Sequence, residues 1–115
     1  MKKTEFRVVF VTCAILVEAR KIARAVVAQR LAACVNITTT PVESIYRWKA
    51  KVETAWEFLL IMKSTEKRLR ELQRAVKLLH SYDVPEFIVL PIVEGSKEYL
   101  DWVRGSVKPD RRSRK

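Results

Sequence analysis

Apolar positions along the chain follow two periods, and each switch between them marks an element. Phe6-Arg-Val-Val-Phe-Val-Thr12 is β-branched and aromatic and apolar on both faces except at Arg7, which predicts a strand inside a sheet. Spacings of three and four then take over at Ile22, Val26, Val27 and Leu31, while Glu18, Arg20, Lys21, Arg24 and Arg30 fall largely elsewhere, so a helix with a solvated face is expected over 18–32. Strand composition returns from Cys34 to Thr40, and Pro41 interrupts it, implying a bulge or an edge position. Ser44-Ile-Tyr-Arg-Trp48 resumes the strand, Lys49-Ala-Lys51 is a tight turn, and 52–63 forms the return arm of a long hairpin. In that arm Trp56, Phe58, Leu60 and Met62 share one face, and Glu57, Leu59 and Ile61 the other.

A second helix is expected from Thr65, capped by Ser64 or Thr65, with Glu66 suiting the dipole and Leu69, Leu72, Val76 and Leu79 as its stripe. Val84-Pro85 forces extended geometry, which ends the helix near His80 and starts a buried strand near Val84 that runs to Ile92. Gly95-Ser96 breaks that strand, and a short third helix over 97–104 carries Tyr99, Leu100, Trp102 and Val103. The order is β-α-β-β-α-β with a helix appended. Right-handed crossovers place both helices on one face of a four-stranded antiparallel sheet, the α+β ferredoxin-like plait.

One length does not suit a lone subunit. Hairpin arms of about 12 residues span ~40 Å, whereas a compact chain of this size has a radius of gyration near 13 Å. The tip, with Ile45, Tyr46, Trp48 and Val52, must project, and a bare apolar ribbon invites pairing. An oligomer is expected.

Length and charge then set limits. The 115 residues make one domain over 1–107, followed by a basic tail over 108–115 expected to be disordered. Of the net charge of +10, the tail holds +4, leaving +6 on the domain. Cys13 and Cys34 lack disulfide-framework or zinc-finger spacing and read as thiols in a reducing compartment. No run approaches the ~20 apolar residues of a membrane span, and Glu5 and Arg7 interrupt any signal peptide. The expected location is cytoplasmic, with no membrane partner.

Several stretches resemble one family. Arg30-Leu-Ala-Ala-Cys-Val-Asn36, Ser44-Ile-Tyr-Arg-Trp48, Phe58-Leu-Leu-Ile-Met-Lys63, His80-Ser-Tyr-Asp-Val-Pro-Glu86 and Tyr99-Leu-Asp-Trp102 resemble, in order and spacing, the CutA divalent-cation tolerance proteins over about residues 6–105. The resemblance implies a small cytoplasmic homotrimer, similar to the PII signalling proteins, whose hairpins extend a neighbour's sheet. It also implies a link to metal tolerance, with copper binding in some members. Two positions depart from the family pattern. Cys13-Ala-Ile-Leu-Val17 is apolar where a polar loop is common, and Ala50 stands where the hairpin turn usually carries glycine. If that turn needs positive φ, alanine costs roughly 1–2 kcal/mol.

Cys13, His80 and Glu86 are donor types for copper or another divalent cation, and strand pairing brings the end of strand one towards His80. His80 also reads as an ordinary helix cap. Glu86, in an apolar setting, needs a partner or a cleft, and Lys63 is a candidate for it. Tyr46, Trp48, Trp56, Lys63, Tyr82 and Trp102 are expected at a subunit interface or cleft. No nucleophile-histidine-acid set, phosphate loop or zinc spacing supports an enzyme. An effector-binding trimer without a metal remains the alternative reading. Nucleic acid is not an expected partner, because the glycine-aromatic run of RNA-recognition sheets is missing.

Overall fold

The computed structural model describes residues 4–109. Strand β1 (Phe6–Cys13) pairs antiparallel with β4 (Lys51–Thr65) on one side and β5 (Ile88–Pro91) on the other. Strands β2 (Cys34–Ile37) and β3 (Val42–Trp48) both pair with β4, end to end along its outer side. The sheet order is β2-β4-β1-β5, which is that of the ferredoxin-like plait. The edge strand is broken over residues 38–41, where Pro41 was expected to break it.

Helices α1 (Leu16–Ala28) and α2 (Leu69–Leu79) pack side by side on one sheet face. Ile22 and Val26 of α1 and Leu72 and Val76 of α2 meet Val9, Val11, Leu60 and Met62 in one core with essentially no exposure. The register pairs Val9 with Met62 and Val11 with Leu60, so the inward residues of both central strands stack. A smaller cluster of Phe6, Ala33, Val103 and Val107 seats α3 (Lys97–Ser106). Ser96 caps α3, accepting a bond from the backbone N–H of Tyr99.

Helix α1 ends earlier than its apolar spacing predicts. Arg30 takes φ of 61°, its N–H bonds to the Val27 carbonyl, and the Leu31 N–H reaches back to the Val26 carbonyl. This is a Schellman turn with arginine in the usual glycine position. Leu31 stays buried just beyond it, which explains why the period runs on past the helix. The expected cap of the second helix also differs. Ser64 is a buried strand residue whose hydroxyl donates to the Leu31 carbonyl at 2.6 Å, and Thr65 makes no side-chain cap. A 3₁₀ turn (Glu66–Arg68) leads into α2 instead.

The last strand starts at Ile88 rather than near Val84, and Val84 is exposed. Pro85 has no N–H to offer a ladder. The Thr12 carbonyl is already taken by the His80 ring at 2.7 Å.

The β3–β4 ribbon projects as its length requires, and the radius of gyration is 15.1 Å against about 13 Å for a compact chain of this length. Its turn carries two left-handed residues, Lys49 at φ 50° and Ala50 at φ 66°, as a two-residue primed turn demands. Ala50→Gly should therefore raise stability by roughly 1 kcal/mol, read as a higher midpoint in a thermal melt. An unchanged or lower midpoint would show that the unfolded-chain entropy of glycine cancels the relief.

Candidate functional site

The site grows out of the junction between β1 and the end of α2. Cys13 is the last residue of β1 and has no exposed surface. His80 is the C-cap residue of α2: its backbone N–H bonds to the Val76 carbonyl, and its extended backbone directs the chain away from the helix. The cap role expected from the sequence is thus carried by the backbone, while the ring turns inward. Ring Nε2 lies 2.7 Å from the Thr12 carbonyl and 3.6 Å from Cys13 Sγ. On the other side, ring Nδ1 accepts the Tyr82 N–H at 3.1 Å. These partners fix a neutral tautomer with hydrogen on Nε2, because a carbonyl can only accept and an N–H can only donate.

The carboxylate that joins Cys13 and His80 is Glu18, from the first turn of α1. Its Oε2 is 3.6 Å from His80 Nδ1 and accepts a bond from the Ser81 hydroxyl at 3.1 Å. The donor atoms of Cys13, Glu18 and His80 all lie within 4.8 Å of one another. Sequence reading placed Glu18 on a solvated helix face. The signal available for it was its place at the N-terminal end of α1, one short turn after Cys13.

Glu86 lies apart from this trio, in an adjoining cleft of about 600 Å³ whose walls include Tyr46, Trp48, Glu57, Tyr82, Asp83 and Glu86. Glu57 is almost fully buried and accepts the Tyr82 hydroxyl at 2.9 Å. Burial and the Glu57 charge both push the Glu86 carboxyl above its ordinary range. Burial, with the bond to Glu57, pushes the Tyr82 hydroxyl well up as well. Glu57 is the second site residue that sequence reading missed, although an acid between apolar neighbours on a strand face was its mark.

Lys63 does not partner Glu86. Its ammonium meets the Asn36 side-chain oxygen across the β2–β4 pair. Tyr46, Trp48 and Trp56 stand exposed along the ribbon, and Trp102 is half exposed against Tyr99 on α3. The sheet face away from the helices is apolar too: Val8, Phe10, Leu59 and Ile61 are only partly covered, and Ile88 and Leu90 are exposed.

By type, a thiol, an imidazole and a carboxylate suit a soft or borderline ion. By state, each donor is engaged. Burial, reinforced by the charges of Glu18 and Glu57, pushes the Cys13 thiol from 9.0 up to about 12, so it holds its proton. The trio fits an ion only once that proton and the Tyr82 contact to the ring are displaced.

The family profile for CutA1 divalent ion tolerance protein matches residues 7–106. The chain belongs to that family. Among its CutA relatives, a divalent-cation tolerance protein of Thermus thermophilus is 52% identical over 86 residues, spanning 75% of this chain and 82% of that one. A solved CutA1 structure from Thermus thermophilus superposes with a TM-score of 0.87 at 47% identity, covering 90% of this chain and 99% of the other. A CutA structure from Archaeoglobus fulgidus, described as a periplasmic divalent cation tolerance protein, gives 0.86 at 38% identity over 90% of this chain and 99% of its own. Among the described residues, no helix is long and apolar enough to cross a membrane. The basic tail expected over 108–115 falls, from residue 110 onward, outside the described residues.

Proposed function

We propose that the protein serves divalent-cation tolerance as a homotrimer without catalytic chemistry, taking up copper or a similar ion weakly at Cys13, Glu18 and His80. The observation that carries this reading is the convergence of those three donors, whose ligand atoms lie within 4.8 Å of one another. Glu18 takes the place that sequence reading gave to Glu86. The trimer is supported by the ribbon's exposed Ile45, Trp48, Val52 and Trp56 and by the apolar open sheet face, neither of which a lone subunit covers. We place the protein in the cytoplasm because both cysteines are free thiols; cell fractionation checks this against the periplasmic description of the Archaeoglobus relative.

The test is a titration of the purified protein with copper(I) and zinc under reducing conditions, alongside light scattering. An ion must displace a thiol proton held up to about 12, so affinity should tighten by up to about tenfold per pH unit below that value. Cys13→Ser and Glu18→Gln should weaken copper binding, and Glu86→Gln should not. Equal affinity in all four proteins would overturn the metal reading, and a monomer mass at micromolar concentration would overturn the trimer.

The cleft favours a second reading, a PII-like trimer that holds a small effector and needs no metal. Its aromatic wall of Tyr46 and Trp48 and its acids Glu57 and Glu86 are built to grip a ligand with an apolar body. Under that reading Glu86→Gln becomes the sensitive variant.

A further inference from the structure

The two helices on the sheet carry a charge pattern that neither cleft nor ribbon uses. Lys67, Arg70, Arg74 and Lys77 recur at intervals of three, four and three, which aligns them along one line of the 3₁₀ turn and α2. Leu72 and Val76 point into the core from the opposite side of that helix, so the line faces outward. Lys21 and Arg24 add to it from the exposed side of α1, which packs beside α2. All six are exposed, and none has an ion-pair partner among the described residues. The acids of these elements are engaged elsewhere: Glu66 with Arg7, Glu71 with Arg68, and Glu18 with the Ser81 hydroxyl.

We propose that this outer helical face binds the phosphate backbone of duplex nucleic acid without reading its sequence. Ten residues of helix carry the α2 line across ~15 Å, a length over which duplex DNA presents about nine phosphates. Two of the four positions are arginines, whose planar fork can hold a phosphate through two bonds. A helix that enters a lipid interface buries its apolar face in the bilayer, whereas the apolar faces of α1 and α2 are already spent on the core, so the charge complementarity favours nucleic acid over a membrane. The sequence expectation against nucleic acid concerned readout of bases by sheet aromatics, and this contact uses none. The face lies on the layer opposite the open sheet face, so it stays available in a monomer or in the proposed trimer, independently of any metal.

Fluorescence anisotropy of the full chain against a labelled random duplex of about 20 bp, across 50–200 mM salt, tests the assignment. Six phosphate contacts should weaken binding roughly 10³-fold over that range. Arg70→Gln/Arg74→Gln removes two contacts and should lower the slope of log affinity against log salt by about 2. Glutamine keeps helix propensity, and a circular dichroism melt confirms folding of the variant. Two controls remove equal charge elsewhere, Lys49→Gln/Lys51→Gln at the ribbon tip and Arg111→Gln/Arg112→Gln in the tail. The proposal stands if the helix variant alone shows the full drop in slope. It is overturned if all three variants lose equally, if the tail variant loses most, or if no duplex binds at 50 mM salt. Binding to phosphatidylserine vesicles through the same arginines, without duplex binding, would overturn it in favour of a membrane surface.

Discussion

Leu60→Ala should lower the unfolding free energy by roughly 2–5 kcal/mol, the range for removing a buried leucine side chain from a well-packed core. Leu60 sits in the central strand β4, opposite Val11 on β1 and Ile37 on β2, and has no exposed surface. The cavity would open between the sheet and the helices, where Ile22, Val26, Leu72 and Val76 are held from several sides and cannot simply close it. The neighbouring Ile61→Ala provides the contrast, because Ile61 points to the open sheet face and is only partly covered. It should cost the subunit less and act instead on association. Urea unfolding at matched protein concentration, with light scattering on the same samples, separates the two effects. A loss below ~1 kcal/mol for Leu60→Ala would mean that the helical layer collapses into the gap.

That contrast also shows what the sequence made legible. Alternation along β4 separated Leu60 and Met62 from Leu59 and Ile61, and only the first pair is fully buried. Period and punctuation thus recovered element order, sheet order and the projecting ribbon. They failed where a side chain does the work of a backbone element. The Schellman turn at Arg30 left no glycine to mark it, so the apolar spacing of Leu31 looked like helix. The His80 ring occupies the Thr12 carbonyl and shortens β5, which no local propensity announces. Site residues followed the same division. Cys13 and His80 stand out in the sequence because their types are rare in this chain, and the end of β1 lies beside the end of α2. Glu18 and Glu57 were passed over because acids are common on helix faces and strand surfaces, and only the three-dimensional neighbours distinguish these two.

Stability should fall steeply in alkali because of Cys13. Burial, followed by the charges of Glu18 and Glu57, raises its thiol from 9.0 to about 12 in the folded chain. Below pH 9 both folded and unfolded chains keep the proton, and the thiol makes no pH-dependent contribution. As pH rises from 9 towards 12 the unfolded chain releases its proton while the folded chain retains it, so the unfolded state gains. The stabilisation is therefore fully present below the unfolded value and is lost as pH approaches the folded one. Three pH units correspond to at most about 4 kcal/mol. Tyr82, also pushed up, loses stability over an overlapping range, so wild type alone does not isolate the thiol. Cys13→Ala does: its unfolding free energy should fall less between pH 8.5 and about 11 than that of wild type, by on the order of 2 kcal/mol. Denaturant unfolding in the presence of a reductant measures the difference directly. Parallel profiles for the two proteins would mean that the thiol ionises as readily in the folded chain as in the unfolded one. That result would also lower the proton barrier in the metal reading, since the thiol would then give up its proton near its ordinary 9.0 rather than near 12.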